Sequence, residues 1–196
     1  MKKLFALLPG VCLALLSLTA KADPTLTFNS VPGGGDIGPY SMTLGSTNLL
    51  LFCMNDQNFI QAGESWTVDV VNAADPSLST SYKEEAYIYS QYNGSNATDV
   101  QLALWYIFDN TENLSGDMGA QSLVAAATDL SNPFYTDGAL SGYTLYLYDG
   151  GTITDQYQNY SPQNFIGAAP EPSSLALLGS GLIGLAGVAR RKLVRG

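Results

Sequence analysis

The chain has 196 residues, of which only 13% are charged, against about a quarter in ordinary domains. It has no histidine, so a Ser-His-Asp or Cys-His site cannot be built and a zinc site would need carboxylates and one thiol; no enzyme centre, metal or cofactor is expected. The net charge is −9, and between Asp23 and Ala169 the single base Lys83 faces every carboxylate but Glu171, which excludes nucleic acid, whose phosphates need clustered Lys and Arg.

The chain opens MKKLFALLPGVCLALLSLTAKADP. Lys2 and Lys3 form a positive start, Leu4 to Leu18 is apolar with a break at Pro9-Gly10, and Ala20-Lys21-Ala22 is a small-x-small site. This is the pattern of a secretory signal peptide over 1–22, with cleavage after Ala20-Lys21-Ala22 and before Asp23. Cys12 would leave with it, and one cysteine, Cys53, would remain.

Residues 23–169 then read as one exported, β-rich domain. Thr25–Asn29 alternates as a strand, and PGGGDIGPY, Pro32 to Tyr40, is a loop. NLLLFCMN is a buried strand, and SWTVDVVN alternates with Trp66, Val68 and Val70 on one face. The period then becomes helical: TSYKEEAYIYSQY carries Lys83, Asp99 to Phe108 forms an apolar helix with N-cap choices at Ser95, Asn96 and Thr98, and AQSLVAAATDLSN ends before Pro133. GYTLYLYD returns to strand, with Tyr143, Leu145 and Leu147 opposite Thr144, Tyr146 and Tyr148, and QNFIG is a last short strand. The expected class is α+β, a mainly antiparallel β domain with helices inserted at about 80–131. Asn93-Gly-Ser, Asn96-Ala-Thr and Asn113-Leu-Ser fit the N-glycosylation pattern, read here as chance in an Asn- and Ser-rich chain.

Two positions in this body carry chemistry. A lone cysteine in an exported chain cannot form an internal disulfide, and Cys53 lies in the apolar stretch LLLFCMNDQ, where it would ordinarily serve as a small hydrophobe. Gln101 lies in DVQLALWYIF, on one helical face with Trp105 and Phe108, where a buried amide needs a partner. FCMN and VQLALW are similar to the motifs of bacterial thioester domains, an aromatic-Cys-apolar-Asp/Asn strand and a later Gln-x-Ala-Ile-Trp segment. The resemblance covers two short stretches and departs at Val100 and Leu104. It implies that the Cys53 thiol and the Gln101 side chain condense with loss of ammonia, giving an electrophile that captures an amine or hydroxyl on another surface.

The chain closes PEPSSLALLGSGLIGLAGVARRKLVRG. Pro170-Glu171-Pro172 is stiff and extended. Ser173 to Ala189 carries no charge and would span about 25 Å as a helix, short of the roughly 30 Å bilayer core but feasible with snorkelling arginines. Arg190, Arg191, Lys192 and Arg195 follow, a stop-transfer cluster that the positive-inside rule keeps cytoplasmic. These features resemble the PEP-CTERM sorting domain of Gram-negative bacteria. The resemblance implies a sorting signal over 170–196, a transmembrane helix at 173–189, and recognition at Pro170-Glu171-Pro172 by a membrane-embedded exosortase. The expected product is anchored in the inner membrane through its C-terminal helix before processing, then carried to the cell surface or released.

Together these readings describe an exported, exosortase-sorted cell-envelope or extracellular-matrix protein without evident catalysis, serving surface adhesion or matrix structure, with envelope or matrix polysaccharide or protein as partner. The alternative is a covalent adhesin-like domain with an internal Cys53-Gln101 thioester.

Overall fold

The computed structural model describes residues 23–154 and 161–169. The expected signal peptide with Ala20 and Ala22, the sorting signal with Pro170, Glu171 and Pro172, the 173–189 helix and the cluster Arg190, Arg191, Lys192 and Arg195 lie outside them. Among the described residues no helix is long and apolar enough to cross a membrane.

Six strands close a barrel: β1 (Thr25–Ser30), β2 (Tyr40–Leu44), β3 (Thr47–Cys53), β4 (Ser65–Asn72), β5 (Tyr143–Thr154) and β6 (Phe165–Ala168). They run in the order β1-β2-β3-β6-β5-β4, with β4 returning to β1 and every pair antiparallel. Among the described residues, closure leaves no unpaired edge strand. Three helices sit between β4 and β5: α1 (Thr80–Ser90), α2 (Ala97–Phe108) and α3 (Met118–Ala127). The mainly antiparallel β domain with inserted helices therefore stands.

The side-chain period of two sorts the strands into two cores. Leu26, Phe28, Tyr40, Met42, Leu51, Cys53, Trp66, Val68, Tyr146 and Phe165 fill the barrel. The alternate residues Phe52, Met54, Leu145 and Ile166 pack outward against Ile88, Val100, Leu104 and Ala120 of the helices. β5 thus buries both of its faces, Leu145 against the helices and Tyr146 inside the barrel. Val70 continues the alternation of Trp66 and Val68 but is 44% exposed.

The structure corrects the sequence reading at element ends. β2 is a strand the sequence reading passed over; YSMTL alternates correctly, yet it is only five residues long and squeezed between a Gly-rich loop and the turn at Gly45. β5 runs past Asp149 because the chain bulges at Gly150, whose φ of 81° suits glycine. Asp149 Oδ1 holds the bulge by accepting from Thr67 Oγ1 at 2.7 Å and from the Gly151 amide.

α3 starts and stops earlier than expected. It begins at Met118 because Asp117 caps it, its side chain accepting from the Ala120 amide at 2.8 Å. It stops at Ala127, and the turn at Asp129 follows. There, as at Asp75, Asn93, Asp109 and Asn113, the side-chain oxygen accepts from the amide and hydroxyl of the Ser or Thr two residues on. Two of the Asn-x-Ser triplets are thus Asx turns joining the helices. Asp117→Ala is expected to lower stability by about 1 kcal/mol, read as a small shift in urea midpoint with unchanged slope.

Candidate functional site

Cys53 is the last residue of β3 and its side chain enters the barrel core, fully buried. Its thiol donates to the Asn55 carbonyl at 3.0 Å. Burial pushes the thiol up to about 12; the Trp105 side chain and the Asn55 bond pull the other way, and the charges of Glu85 and Asp56 add to the rise.

Gln101 sits on α2, fully buried. Its Nε2 donates to the Cys53 carbonyl at 2.6 Å, and its Oε1 accepts from the Gly38 amide at 3.2 Å. One amide therefore ties together α2, the end of β3 and the loop before β2. The structure thus brings Cys53 and Gln101 to the same place, 48 residues apart in the chain.

The surroundings are specific. A Cβ on Gly38 would lie 2.9 Å from Gln101 Oε1 and 2.9 Å from Phe52 Cδ1, so the loop approaches this closely only as glycine. Trp105, one turn after Gln101, has its indole N–H buried without a hydrogen-bond partner and stands near enough to Cys53 to oppose the rise of its thiol. Tyr40 packs edge-on against Phe165 and donates its hydroxyl to the Asp36 carbonyl at 2.5 Å. Its phenol is raised by burial, then by Cys53 and Asp36. Phe108, expected on the Gln101 face, is instead 42% exposed at the helix end and packs on Tyr82.

Beside the pair opens a cavity of about 260 Å³, lined among others by Tyr40, Asp56, Trp105 and Gln163. Gly38, Asp56 and Gln163 were not singled out from the sequence. Nothing in PGGGDIGPY tells which glycine meets a distant glutamine, and Gln163 arrives 105 residues after its partner Asn58.

Gly38→Ala is expected to displace the Gln101 amide while leaving both chemical groups in place. A clash of this depth in a packed region costs about 1–3 kcal/mol, measurable by urea unfolding. The variant should also release the Cys53 thiol to a thiol reagent faster than Asp117→Ala does.

No curated protein matches the chain. Among solved structures it is similar to the N-terminal thioester domain of surface protein from Clostridium perfringens, at 14% identity and a TM-score of 0.45, over 73% of this chain and 97% of that one. Residues 168–192 match the PEP-CTERM protein-sorting motif; the chain carries that motif, which implies export and processing through an exosortase.

Proposed function

We propose that this is an exported, surface-sorted domain whose Cys53 and Gln101 form an internal thioester, making it a module for covalent attachment. The observation that carries this reading is the Gln101 amide seated on the Cys53 residue by a bond to its own carbonyl. In forming the thioester, Cys53 Sγ attacks Gln101 Cδ. Negative charge develops on Oε1, where the Gly38 amide already donates. The C–N bond breaks, and the departing NH2 leaves with the thiol proton as ammonia. Burial keeps water from the product. The captured group would be an amine or hydroxyl on an envelope or matrix polymer, and the chain would turn over no substrate.

A second reading is supported by the same contacts. Both polar ends of Gln101 are satisfied and the thiol is pushed up to about 12. On that reading Gln101 is a structural clamp, and the domain is an envelope or matrix protein delivered by its sorting signal.

Intact mass of the chain recovered from its host's envelope, under non-reducing conditions, separates the two. A deficit of one ammonia that disappears in Cys53→Ala supports the thioester. A full mass with a Cys53 thiol titratable after unfolding removes it. The same spectrum reports whether the chain ends near Pro170-Glu171-Pro172, as exosortase processing requires.

A further inference from the structure

Asn93-Gly94 is the one Asn-Gly step in the chain, and it lies exposed in the connection between α1 and α2. A side-chain amide followed by glycine is chemically vulnerable, because no Cβ shields the backbone nitrogen that can attack it. Here the approach is open: Gly94 has φ 89°, and even a Cβ built on it would meet nothing within 4 Å.

The hydrogen bonds around the step are arranged for that attack. Among the described residues the Gly94 N–H and the Asn93 Nδ2 enter no hydrogen bond, so nucleophile and leaving group are both uncommitted. Asn93 Oδ1 accepts from the Ser95 amide at 3.0 Å and from the Ser95 hydroxyl at 2.8 Å. Attack on Cγ sends negative charge to that same oxygen, where two donors already point. The Asn93 N–H donates to Asn96 Oδ1 at 3.0 Å, which holds the residue from its other side. The fold also has a place for the acid. Asp75, Asp109 and Asp129 occupy the same kind of turn, and its bonds from Ser77, Thr111 and Ser131 lower all three carboxyls.

We infer that Asn93 is a self-modifying site: its turn promotes loss of the side-chain amide to Gly94, so that the folded protein exchanges a neutral residue for a charged one. The Gly94 nitrogen gives its proton to hydroxide and attacks Asn93 Cγ, closing a five-membered succinimide. The Cγ–Nδ2 bond breaks, and the NH2 takes a proton from water and departs as ammonia. A second water opens the ring. Opening at Cγ restores the Gly94 N–H and gives Asp; opening at the backbone carbonyl gives isoAsp, which adds a methylene to the main chain. Only Asp keeps the backbone spacing at which Ser95 and Asn96 reach residue 93, so the native turn favours Asp.

The test incubates the full chain, purified in detergent, in mildly alkaline buffer, both folded and in urea. Fragment masses then separate Asn, Asp, isoAsp and succinimide at each position. Asn93 is expected to convert at least as fast folded as in urea, chiefly to Asp when folded and to isoAsp when unfolded. Asn113 is the internal control: it shares the turn through Ser115 but precedes the bulky, buried Leu114, and should keep its amide. Ser95→Ala removes one donor to Oδ1 and should slow the folded conversion about fivefold, with no change in urea. Slower loss in the folded chain than in urea overturns the inference, as does a folded rate indifferent to Ser95→Ala or an isoAsp share as high folded as unfolded. The succinimide, like a thioester, lacks one ammonia, yet the two are separable. A deficit that survives Cys53→Ala and vanishes in Asn93→Asp is the succinimide and supports this site; one that vanishes in Cys53→Ala, with Asn93 intact, supports the thioester and overturns the site.

Discussion

Cys53→Ala and Gln101→Ala are expected to abolish the ammonia deficit completely, and to differ sharply in stability. Removing the sulfur leaves the backbone carbonyl at position 53 in place, so Gln101 Nε2 keeps its acceptor and Oε1 keeps the Gly38 amide. The loss is one small buried atom and its contacts, about 1 kcal/mol. Removing the amide instead strands the Cys53 carbonyl and the Gly38 N–H in a dry site, at about 1–3 kcal/mol each, and opens a cavity besides. Gln101→Glu keeps the shape but puts an acceptor against the Cys53 carbonyl, so it too should lose the deficit and lose stability. Urea unfolding of the three variants beside their intact masses reads both effects. If Cys53→Ala proves as destabilising as Gln101→Ala, the sulfur is a structural keystone and the covalent reading weakens. If all three variants match the unsubstituted mass apart from the substitution itself, no thioester was present to lose.

The sequence was informative where a local pattern maps onto one element. Period-two runs pointed to β1, β4 and the start of β5, a continuous apolar run to β3, and the shift to helical period to the three helices between two sets of strands. The two motif stretches lie side by side in the fold, the Gln101 amide donating to the Cys53 carbonyl. What the sequence left hidden is long-range. Trp66 and Phe165 stack inside the barrel, yet no local pattern says that β3 pairs with β6 more than a hundred residues later. The cavity has the same origin: its polar wall joins Asp56 to Gln163 across that pairing. Glu85 was more accessible. Tyr82, Glu85, Ala86 and Tyr89 follow helical spacing, which puts a carboxyl in the middle of the apolar face. The adjacent Lys83 and Glu84 disguised it as part of a solvated charged turn.

That carboxyl is expected to dominate the pH dependence of folding on the neutral side. Glu85 is fully buried, and neither of its oxygens has a hydrogen-bond partner. Burial, then the neighbouring Glu84 charge, raises it well above its ordinary 4.5. The ionisable groups around it, Tyr82 and Cys53, are themselves raised in part by its charge. A carboxyl with a raised folded value binds its proton more tightly in the native state than in the unfolded one. Native stability is therefore highest at and below about pH 4.5 for this group, falls as pH rises, and levels off once pH passes the raised folded value. The slope in that window approaches 1.4 kcal/mol per pH unit for one proton. Glu84 and Glu112, also raised by burial, add to it. The exposed Asp75, Asp109 and Asp129 are lowered by Ser77, Thr111 and Ser131, so they cost stability only as pH falls through the acid range. Glu85→Gln should flatten the neutral-side slope. Glu85→Met, similar in volume and without orphaned oxygens, should also raise stability at pH 7 by about 1–3 kcal/mol. Urea midpoints from pH 4.5 to 8 give the answer: a Glu85→Met curve parallel to that of the unsubstituted chain would mean the proton resides elsewhere, whereas convergence of the two at low pH identifies Glu85 as the group that titrates.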